Sequence, residues 1–347
     1  MEQEIRFTSE AGPRVAWSAV GTGPNLVIGG LWCSHLELDW QDPSIRWFVE
    51  RLASRFRVVR YDRPGTGLSD RTAPPPGTLD AEVAVLDAVV QAAGSEPFVL
   101  GTSSGGCVAV RYAVAHHDRV RRLVLYGAYA DGRRIAPQEA RDALVSVVST
   151  HWGLGSRILA DVFLPGASPA ERDAFARFQR HSASAGTAAA SLRSVYAMNV
   201  TADLSRLAVP TLVLHRRGDH TISASLGRDL AGGIPGATFV LLQGDDHFPW
   251  RGDADAVVAQ VARFLGEPLE ADVGAPSRVP PPGLASLSDR EVEVLRLVAA
   301  GFSDDEIAEQ LVLSPHTVHR HVANIRSKLR LTSRAAAAAA AARAGLV

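Results

Sequence analysis

Short apolar runs alternate with stretches of helical period along the first 266 residues of this chain. From the third run onward, the runs are nearly continuous in leucine and β-branched residues, which is typical of parallel strands buried on both faces. We therefore predict an α/β fold with an eight-stranded, mostly parallel sheet. The eight predicted strands cover residues 5–8, 15–20, 25–30, 56–62, 97–102, 120–127, 210–218 and 238–244.

The alternation stops between residues 129 and 208, where the pattern is helical and too long for an ordinary connection. This segment predicts a helical cap inserted into the sheet domain. Residues 267–283 are rich in proline and small residues, as is typical of a linker. We therefore expect two domains, 1–266 and 284–347, joined by that linker.

The C-terminal segment predicts a small all-α domain. The pairs Ser288 with Glu291 and Ser303 with Glu306 have the spacing of capping boxes, which begin helices. A serine–proline pair at 314–315 begins a third helix with proline at its first position. The alanines at 335–342 predict a last helix.

Composition adds a charge pattern rather than a net charge. The formal net charge is −1, but from residue 310 onward the chain has basic residues and no acidic ones, which indicates an electropositive face. With only Cys33 and Cys107, the chain has no disulfide framework. The first residues are unlike a secretory signal and no apolar run approaches a membrane span, so we expect a cytoplasmic protein. We expect no cofactor and no metal site.

A nucleophile-elbow motif follows the fifth predicted strand. Residues 101–105 read Gly-Thr-Ser-Ser-Gly, and the flanking glycines permit the sharp turn that lifts Ser103 above a sheet. Asp219 follows the seventh strand and His247 follows the eighth. Because the carboxyl ends of parallel strands meet at one edge of a sheet, we expect the three side chains to converge. The alternative is that each is an ordinary turn residue.

With these motifs, residues 1–266 resemble the α/β-hydrolase superfamily, in particular its peroxidase- and esterase-like branch. The resemblance implies an α/β-hydrolase fold in which Ser103 is the nucleophile, His247 the general base and Asp219 its partner. It also implies an oxyanion hole formed by the backbone N–H groups of Ser104 and Leu31. Many relatives have His-Gly where this chain has two glycines, at 29–30.

Aromatic residues in the cap and in the loop after the third strand are candidates for a ligand pocket. A small acyl, ester or lactone compound would occupy it. The alternative, that the cap aromatics only pack the cap helices together, stays open. The candidate pocket residues are Trp32, Trp152, Phe175, Phe178 and Tyr196.

The C-terminal segment contains EVLRLVAAG, EIAEQL and a closing R-A-A…GL, and it resembles the LuxR-type helix-turn-helix. The resemblance implies that the helix at 314–330 enters the major groove of double-stranded DNA. One such module buries too little surface for tight binding, so we expect a homodimer. His319, Arg320, Ala323 and Asn324 would face base edges, and the phosphate contacts would come from Thr317, Arg326 and Lys328.

Three hypotheses follow. In the first, the chain is a transcription regulator whose hydrolase-like domain binds, and in one version hydrolyses, a small ligand. In the second, it is an active serine hydrolase with an accessory DNA-binding tail. In the third, the large domain is an oligomerisation platform. The sequence alone does not distinguish a catalyst from a receptor.

Overall fold

A computed structural model describes residues 1–94, 96–266, 287–311, 313–329, 331 and 333–343. The chain divides into two compact units, Met1–Leu269 and Glu270–Val347, which we call the larger and the smaller unit. The linker predicted at residues 267–283 lies outside the described residues. Among the described residues, no helix is both long enough and apolar enough to cross a membrane.

The larger unit is built on one eight-stranded sheet, which confirms the predicted fold class. Its order is β1-β2-β4-β3-β5-β6-β7-β8. Strand β2 is antiparallel to both of its neighbours, β1 and β4, and the remaining pairs are parallel, for example Leu26 beside Val58 and Leu100 beside Val124. The strands are β1 (Glu4–Thr8), β2 (Val15–Val20), β3 (Asn25–Ile28), β4 (Arg57–Tyr61), β5 (Phe98–Thr102), β6 (Arg122–Tyr126), β7 (Thr211–Arg216) and β8 (Thr238–Leu242).

Helices cover both faces of this sheet and form the cap. They are α1 (Leu36–Gln41), α2 (Pro43–Ala53), α3 (Leu79–Ala93), α4 (Gly105–Ala115), α5 (Gln138–Thr150), α6 (Trp152–Phe163), α7 (Pro169–Ser182), α8 (Ala185–Ala197), α9 (Ala224–Gly233) and α10 (Ala254–Leu265). Because side chains alternate along a strand, Val27, Val59 and Val99 pack with α3 and α4 on one face. On the other face, Leu100 and Leu212 pack with α2 and α10.

Helices α5–α8 form the cap between β6 and β7. In sequence order, α6 packs on α5 and α7 packs on α6, while α8 returns to pack on α5. Helix α7 begins at a complete capping box, in which Ser168 accepts from the N–H of Glu171 and the carboxylate of Glu171 accepts from the N–H of Ser168. The cap is therefore anchored at the N-terminus of the helix that faces the candidate site.

The smaller unit is helical. Its helices are α11 (Asp289–Ala299), α12 (Asp304–Leu311), α13 (Pro315–Lys328) and α14 (Arg334–Arg343). Both predicted capping boxes are present, at Ser288 and at Ser303. Leu295, Ile307 and Val318 are at most 1 % exposed and form the centre of the unit's own core. The core faces of α11, α12 and α13 thus meet as the apolar spacing predicted.

Candidate active site and nucleic-acid interface

Ser103 lies in the turn between β5 and α4, with φ of +52°. This left-handed conformation is uncommon for a residue with a side chain. A neighbouring glycine makes the turn possible, because a Cβ at Gly101 would lie 2.8 Å from the Cβ of Ala109. The absence of a side chain there lets α4 start directly above the strand end. The turn therefore presents Ser103 at the carboxyl edge of the sheet.

Asp219 and His247 form a buried hydrogen-bonded pair beyond the ends of β7 and β8. Asp219 Oδ2 and His247 Nδ1 are 2.8 Å apart, and the two side chains are 1 % and 3 % exposed. Asp219 Oδ1 accepts from the backbone N–H groups of Thr221 and Ile222, at 2.9 and 3.0 Å. Because an ionised carboxylate only accepts, His247 Nδ1 donates to it and Nε2 is left as the basic nitrogen.

The surroundings of Asp219 keep it ionised. Burial alone would raise the pKa of this carboxyl, but the charge of His247 and hydrogen bonds from His215, His247 and Ile222 outweigh burial and lower its pKa below the ordinary value. His215 is fully buried, with Nε2 at 2.8 Å from the carbonyl oxygen of Ile222 and 3.4 Å from Asp219 Oδ2. His215 Nε2 thus lies within reach of both acceptors: the shorter contact braces the turn, and the longer one helps to lower the pKa of Asp219.

Ser103 and His247 line one cavity of about 610 Å³ between the carboxyl edge of the sheet and cap helices α6 and α7. Six aromatic residues contribute to its walls, and several of the rings pack on each other: Phe163 stacks on Phe248 at 5.5 Å and Phe248 on Trp250 at 5.0 Å between centroids. The ring of Phe163 also lies 5.8 Å from that of His247. The aromatic wall is made of Trp32, Phe163, Phe175, Phe178, Phe248 and Trp250.

Three of the five predicted pocket residues, Trp32, Phe175 and Phe178, line this cavity, and two do not. The indole of Trp152 donates to the carbonyl oxygen of Ala183 at 3.0 Å, so it ties two parts of the cap together. Tyr196 lies near the end of α8, where Arg141 of α5 stands 5.7 Å from its ring centre, and it lines a separate cavity along α5 and α8. Neither Trp152 nor Tyr196 lines the cavity of Ser103.

Two backbone N–H groups are free at the predicted oxyanion positions. Among the described residues, the N–H groups of Leu31 and Ser104 donate to no protein acceptor. Leu31 also lines the cavity with Ser103. Gly30 lies directly against Tyr61 and could not carry a Cβ, which would fall 2.8 Å from that ring. The loop before Leu31 is therefore packed tightly on β4.

In the smaller unit, α13 has one buried and one exposed side. Val318 and Ile325 face the core, at most 1 % exposed, while Arg320, Ala323 and Asn324 are exposed. His319 has 78 % of its side chain exposed, and its Nδ1 lies 3.5 Å from Asp304 of α12. Thr317 and Arg326 are half-buried. The exposed residues are those that the sequence predicted to face DNA bases.

Lys328 is already paired inside the smaller unit. Its Nζ lies 2.7 Å from the carboxylate of Glu291, which is 4 % exposed. The same carboxylate closes the capping box of α11 at Ser288. A phosphate contact by Lys328 would compete with this pair, which the sequence analysis did not anticipate.

The comparison with protein families agrees with this geometry. The model of the alpha/beta hydrolase family matches residues 26–261, more than half of the chain. The chain belongs to this family. The model of the bacterial regulatory proteins of the luxR family matches residues 285–341. The larger unit is therefore a hydrolase-fold domain, and the smaller unit is a LuxR-type helix-turn-helix domain.

Individual relatives cover one domain or the other. The polyketide synthase ThaQ of Burkholderia thailandensis is 32% identical over 230 residues, which are 63% of this chain but only 11% of ThaQ. A pimeloyl-[acyl-carrier protein] methyl ester esterase of Aliivibrio salmonicida is 24% identical over 72% of this chain and 95% of the esterase. The Fimbriae Z protein of Salmonella typhimurium is 62% identical over 47 residues, 14% of this chain and 22% of Fimbriae Z.

A solved structure supports the fold of the hydrolase domain. The enol-lactonase of Burkholderia xenovorans LB400 superposes with a TM-score of 0.65 at 24% identity, covering 76% of this chain and all of that protein. At this identity the likeness concerns the fold alone.

The hydrolase domain also contains site residues that the sequence analysis missed. Phe248 and Trp250 follow His247 directly, so their place in the histidine loop was a usable signal. His215 interrupts an apolar strand four residues before Asp219, which was a second signal. Asp39 of α1 lines the cavity as well, and its short helix gave no such signal.

Proposed function

We propose that this chain is a DNA-binding transcription regulator whose hydrolase domain binds a small acyl, ester or lactone compound at Ser103. One observation carries the proposal: His247, which is paired with Asp219, lines the same cavity as the strained Ser103, in a chain that also has a LuxR-type domain. One relative is an esterase by name, and the superposed structure is that of a lactonase. Both names favour an ester or a lactone as the ligand.

The arrangement supports acyl transfer. Ser103 Oγ attacks the carbonyl carbon while His247 Nε2 takes its proton, and the oxyanion is stabilised by the N–H groups of Leu31 and Ser104. The carbonyl re-forms as the C–O bond to the leaving alcohol breaks, and His247 returns the proton to that alcohol. Asp219 stays ionised and stabilises the imidazolium. Water then releases the acid by the same steps.

The output of the molecule is proposed to be DNA binding by a pair of chains. Helix α13 would lie in the major groove with His319, Arg320, Ala323 and Asn324 toward base edges, and Thr317, Arg326 and Lys328 toward phosphates. A homodimer is part of this proposal, because one such domain buries little DNA surface. We place this activity in the cytoplasm, together with the DNA.

A second candidate function is that of an active serine hydrolase with an accessory DNA-binding tail. The left-handed backbone of Ser103 and the two free N–H groups favour it. Both are features of a site prepared for turnover, which a receptor does not require.

The test uses the full chain and a fluorophosphonate, which forms an adduct on an activated serine. We expect one adduct by mass spectrometry on the wild type and none on Ser103→Ala. We expect the adduct to change affinity for the operator at least about fivefold, because allosteric coupling is typically of that size or larger. The Ser103→Ala variant, treated in the same way, controls for non-specific effects.

The outcomes separate the two functions. Labelling with changed operator affinity supports the regulator. Steady turnover of a simple ester with unchanged operator affinity supports the hydrolase with an accessory tail. Equal labelling of the wild type and Ser103→Ala would contradict both, because the nucleophile would then lie elsewhere.

A further inference from the structure

Asp39 is a buried acid that faces the cavity of Ser103 and His247. Its side chain is 4 % exposed and it lines that cavity. The nearest cation, Arg60 Nη1, is 3.7 Å from Asp39 Oδ2, beyond hydrogen-bond distance. No other side chain in the described part of the molecule is an ion-pair or hydrogen-bond partner of this carboxylate.

Asp62 is a second buried acid in this region, and its carboxylate has a structural role. The carboxylate of Asp62 accepts from Ser34 Oγ at 2.7 Å and from the N–H groups of Leu36 and Leu68 at 3.1 and 2.9 Å. These bonds fix the loops around the site. Besides Arg60, Asp39 has one backbone hydrogen bond, from His35, so part of its acceptor capacity is left for a group in the cavity.

The other carboxylates on the cavity wall are engaged. Asp42 accepts from the first N–H groups of α2. Glu171 closes the capping box of α7 and pairs with Arg251 at 3.2 Å. Arg251 is the one Arg or Lys among the described lining residues, and it also pairs with Asp246 at 3.4 Å. Among its described lining residues, the cavity therefore offers an acid with acceptor capacity left over but no unengaged guanidinium or ammonium group.

We propose that Asp39 binds a hydrogen-bond donor of the ligand, a hydroxyl or an ammonium group, apart from the reacting carbonyl. This rests on the proposed function of the Ser103 site. The buried Asp39 carboxyl has one distant cation and one backbone N–H, that of His35, as partners. Its remaining acceptor capacity carries a desolvation cost that such a ligand group lowers, so a ligand lacking the group binds less tightly. A ligand that ends in a carboxylate is disfavoured, because it would meet an acid with no unengaged cation nearby.

Burial supports this assignment. It raises the pKa of Asp39 to about 7, against the lowering effect of Arg60. The carboxyl is therefore half-ionised near neutral pH, and it can accept a hydrogen bond in either form through an oxygen without a proton. An ammonium group would favour the ionised form, whereas a hydroxyl would bind both.

The test compares alkyl fluorophosphonates of equal length that end in methyl, hydroxyl, ammonium or carboxylate. On the wild type, we expect the hydroxyl or the ammonium probe to label Ser103 about tenfold faster than the methyl probe, with the carboxylate probe slowest. In Asp39→Leu this preference should fall below about twofold, while the methyl probe labels at least as fast as on the wild type. The matched control is Glu37→Gln, which removes an exposed acid from the same helix and should keep the wild-type order.

A wild type that prefers the methyl or carboxylate probe, or a folded Asp39→Leu that keeps the wild-type order, would overturn the proposal. Absence of labelling by every probe would contradict the proposed nucleophile alone.

A binding experiment then tests Asp39 without the nucleophile: Ser103→Ala is titrated with methyl hexanoate and methyl 6-hydroxyhexanoate. Tighter binding of the hydroxy ester, lost in the double variant with Asp39→Leu, still supports Asp39, and equal binding overturns it. Where Asp39→Leu does not fold, Asp39→Ala replaces it and should lose the preference for the hydroxyl and ammonium probes in the same way.

Discussion

At the scale of single residues, the backbone of Ser103 stores strain. A side chain at φ of +52° costs about 1 kcal/mol relative to glycine. We therefore expect Ser103→Gly to unfold at higher urea concentration than Ser103→Ala, by about 1 kcal/mol in the free energy of unfolding. Both variants remove the hydroxyl, so the difference between them reports the backbone alone.

Tryptophan fluorescence is a suitable measurement for these variants. All six tryptophans precede residue 251, so the signal follows unfolding of the hydrolase domain. Equal midpoints and slopes for the two variants would show that the Ser103 turn is unstrained in solution.

The sequence identified some residues of the candidate site but not others. Ser103, Asp219 and His247 each follow an apolar strand, and strand order places such positions at one edge. Asp39 follows no strand, and its helix is only six residues long. Its orientation depends on packing against distant parts of the chain, so no local pattern indicated that it faces the cavity.

At the scale of elements, α13 combines two kinds of basic residue. Arg320 is exposed, whereas Lys328 is paired with Glu291. We expect Arg320→Ala to lose about 1–3 kcal/mol of discrimination between operator and scrambled DNA, because a side chain at a base edge reads sequence. Lys328→Ala should weaken binding to both DNAs similarly and flatten the salt dependence.

Fluorescence anisotropy across a salt series measures both effects in the full-length chain. The pair with Glu291 should make the loss in Lys328→Ala smaller than for an unpaired lysine, since part of its charge is neutralised within the domain. If the two variants behave alike on operator and scrambled DNA, α13 is not oriented in the groove as proposed.

The positions of helices and strands were easier to predict than which face of each helix lines the cavity or contacts another helix. All eight strands and the alanine-rich last helix follow from runs and spacing. The sequence could not show that Trp152 and Tyr196 lie away from the cavity of Ser103, because helical period does not tell which face of a cap helix meets the sheet domain. The pair between Lys328 and Glu291 joins two helices far apart in sequence, so spacing along either helix could not indicate it.

At the scale of the whole molecule, stability should depend on pH through Asp39. Its pKa rises from the ordinary value of 3.8 to about 7 on folding, so between these values the folded state holds a proton that the unfolded state has released. Stability therefore falls as pH rises across this window. Because asparagine does not titrate, the stability of Asp39→Asn relative to the wild type should increase from pH 5 to pH 8, by up to about 2–3 kcal/mol.

Urea unfolding at pH 5 and pH 8 checks this expectation. The charged groups that act on Asp39 are Arg60, Asp62 and Asp42, and the backbone N–H of His35 donates to its carboxyl. All of these are the same in both proteins. Glu37→Gln should show no such pH-dependent gain, because Glu37 is exposed. A constant difference between Asp39→Asn and the wild type across the two pH values would show that the folded pKa is not raised.

The crowded glycines on the sheet side of the cavity limit how this protein can diversify. At Gly30 and Gly101 a single added methyl group would fall 2.8 Å from existing carbon atoms, so that wall tolerates almost no variation. Helix α7 supplies Phe175 and Phe178, whose partly exposed rings leave room for exchange. Selection for a new effector, in nature or in the construction of a biosensor, should therefore accumulate changes along α7 and leave the opposite wall untouched.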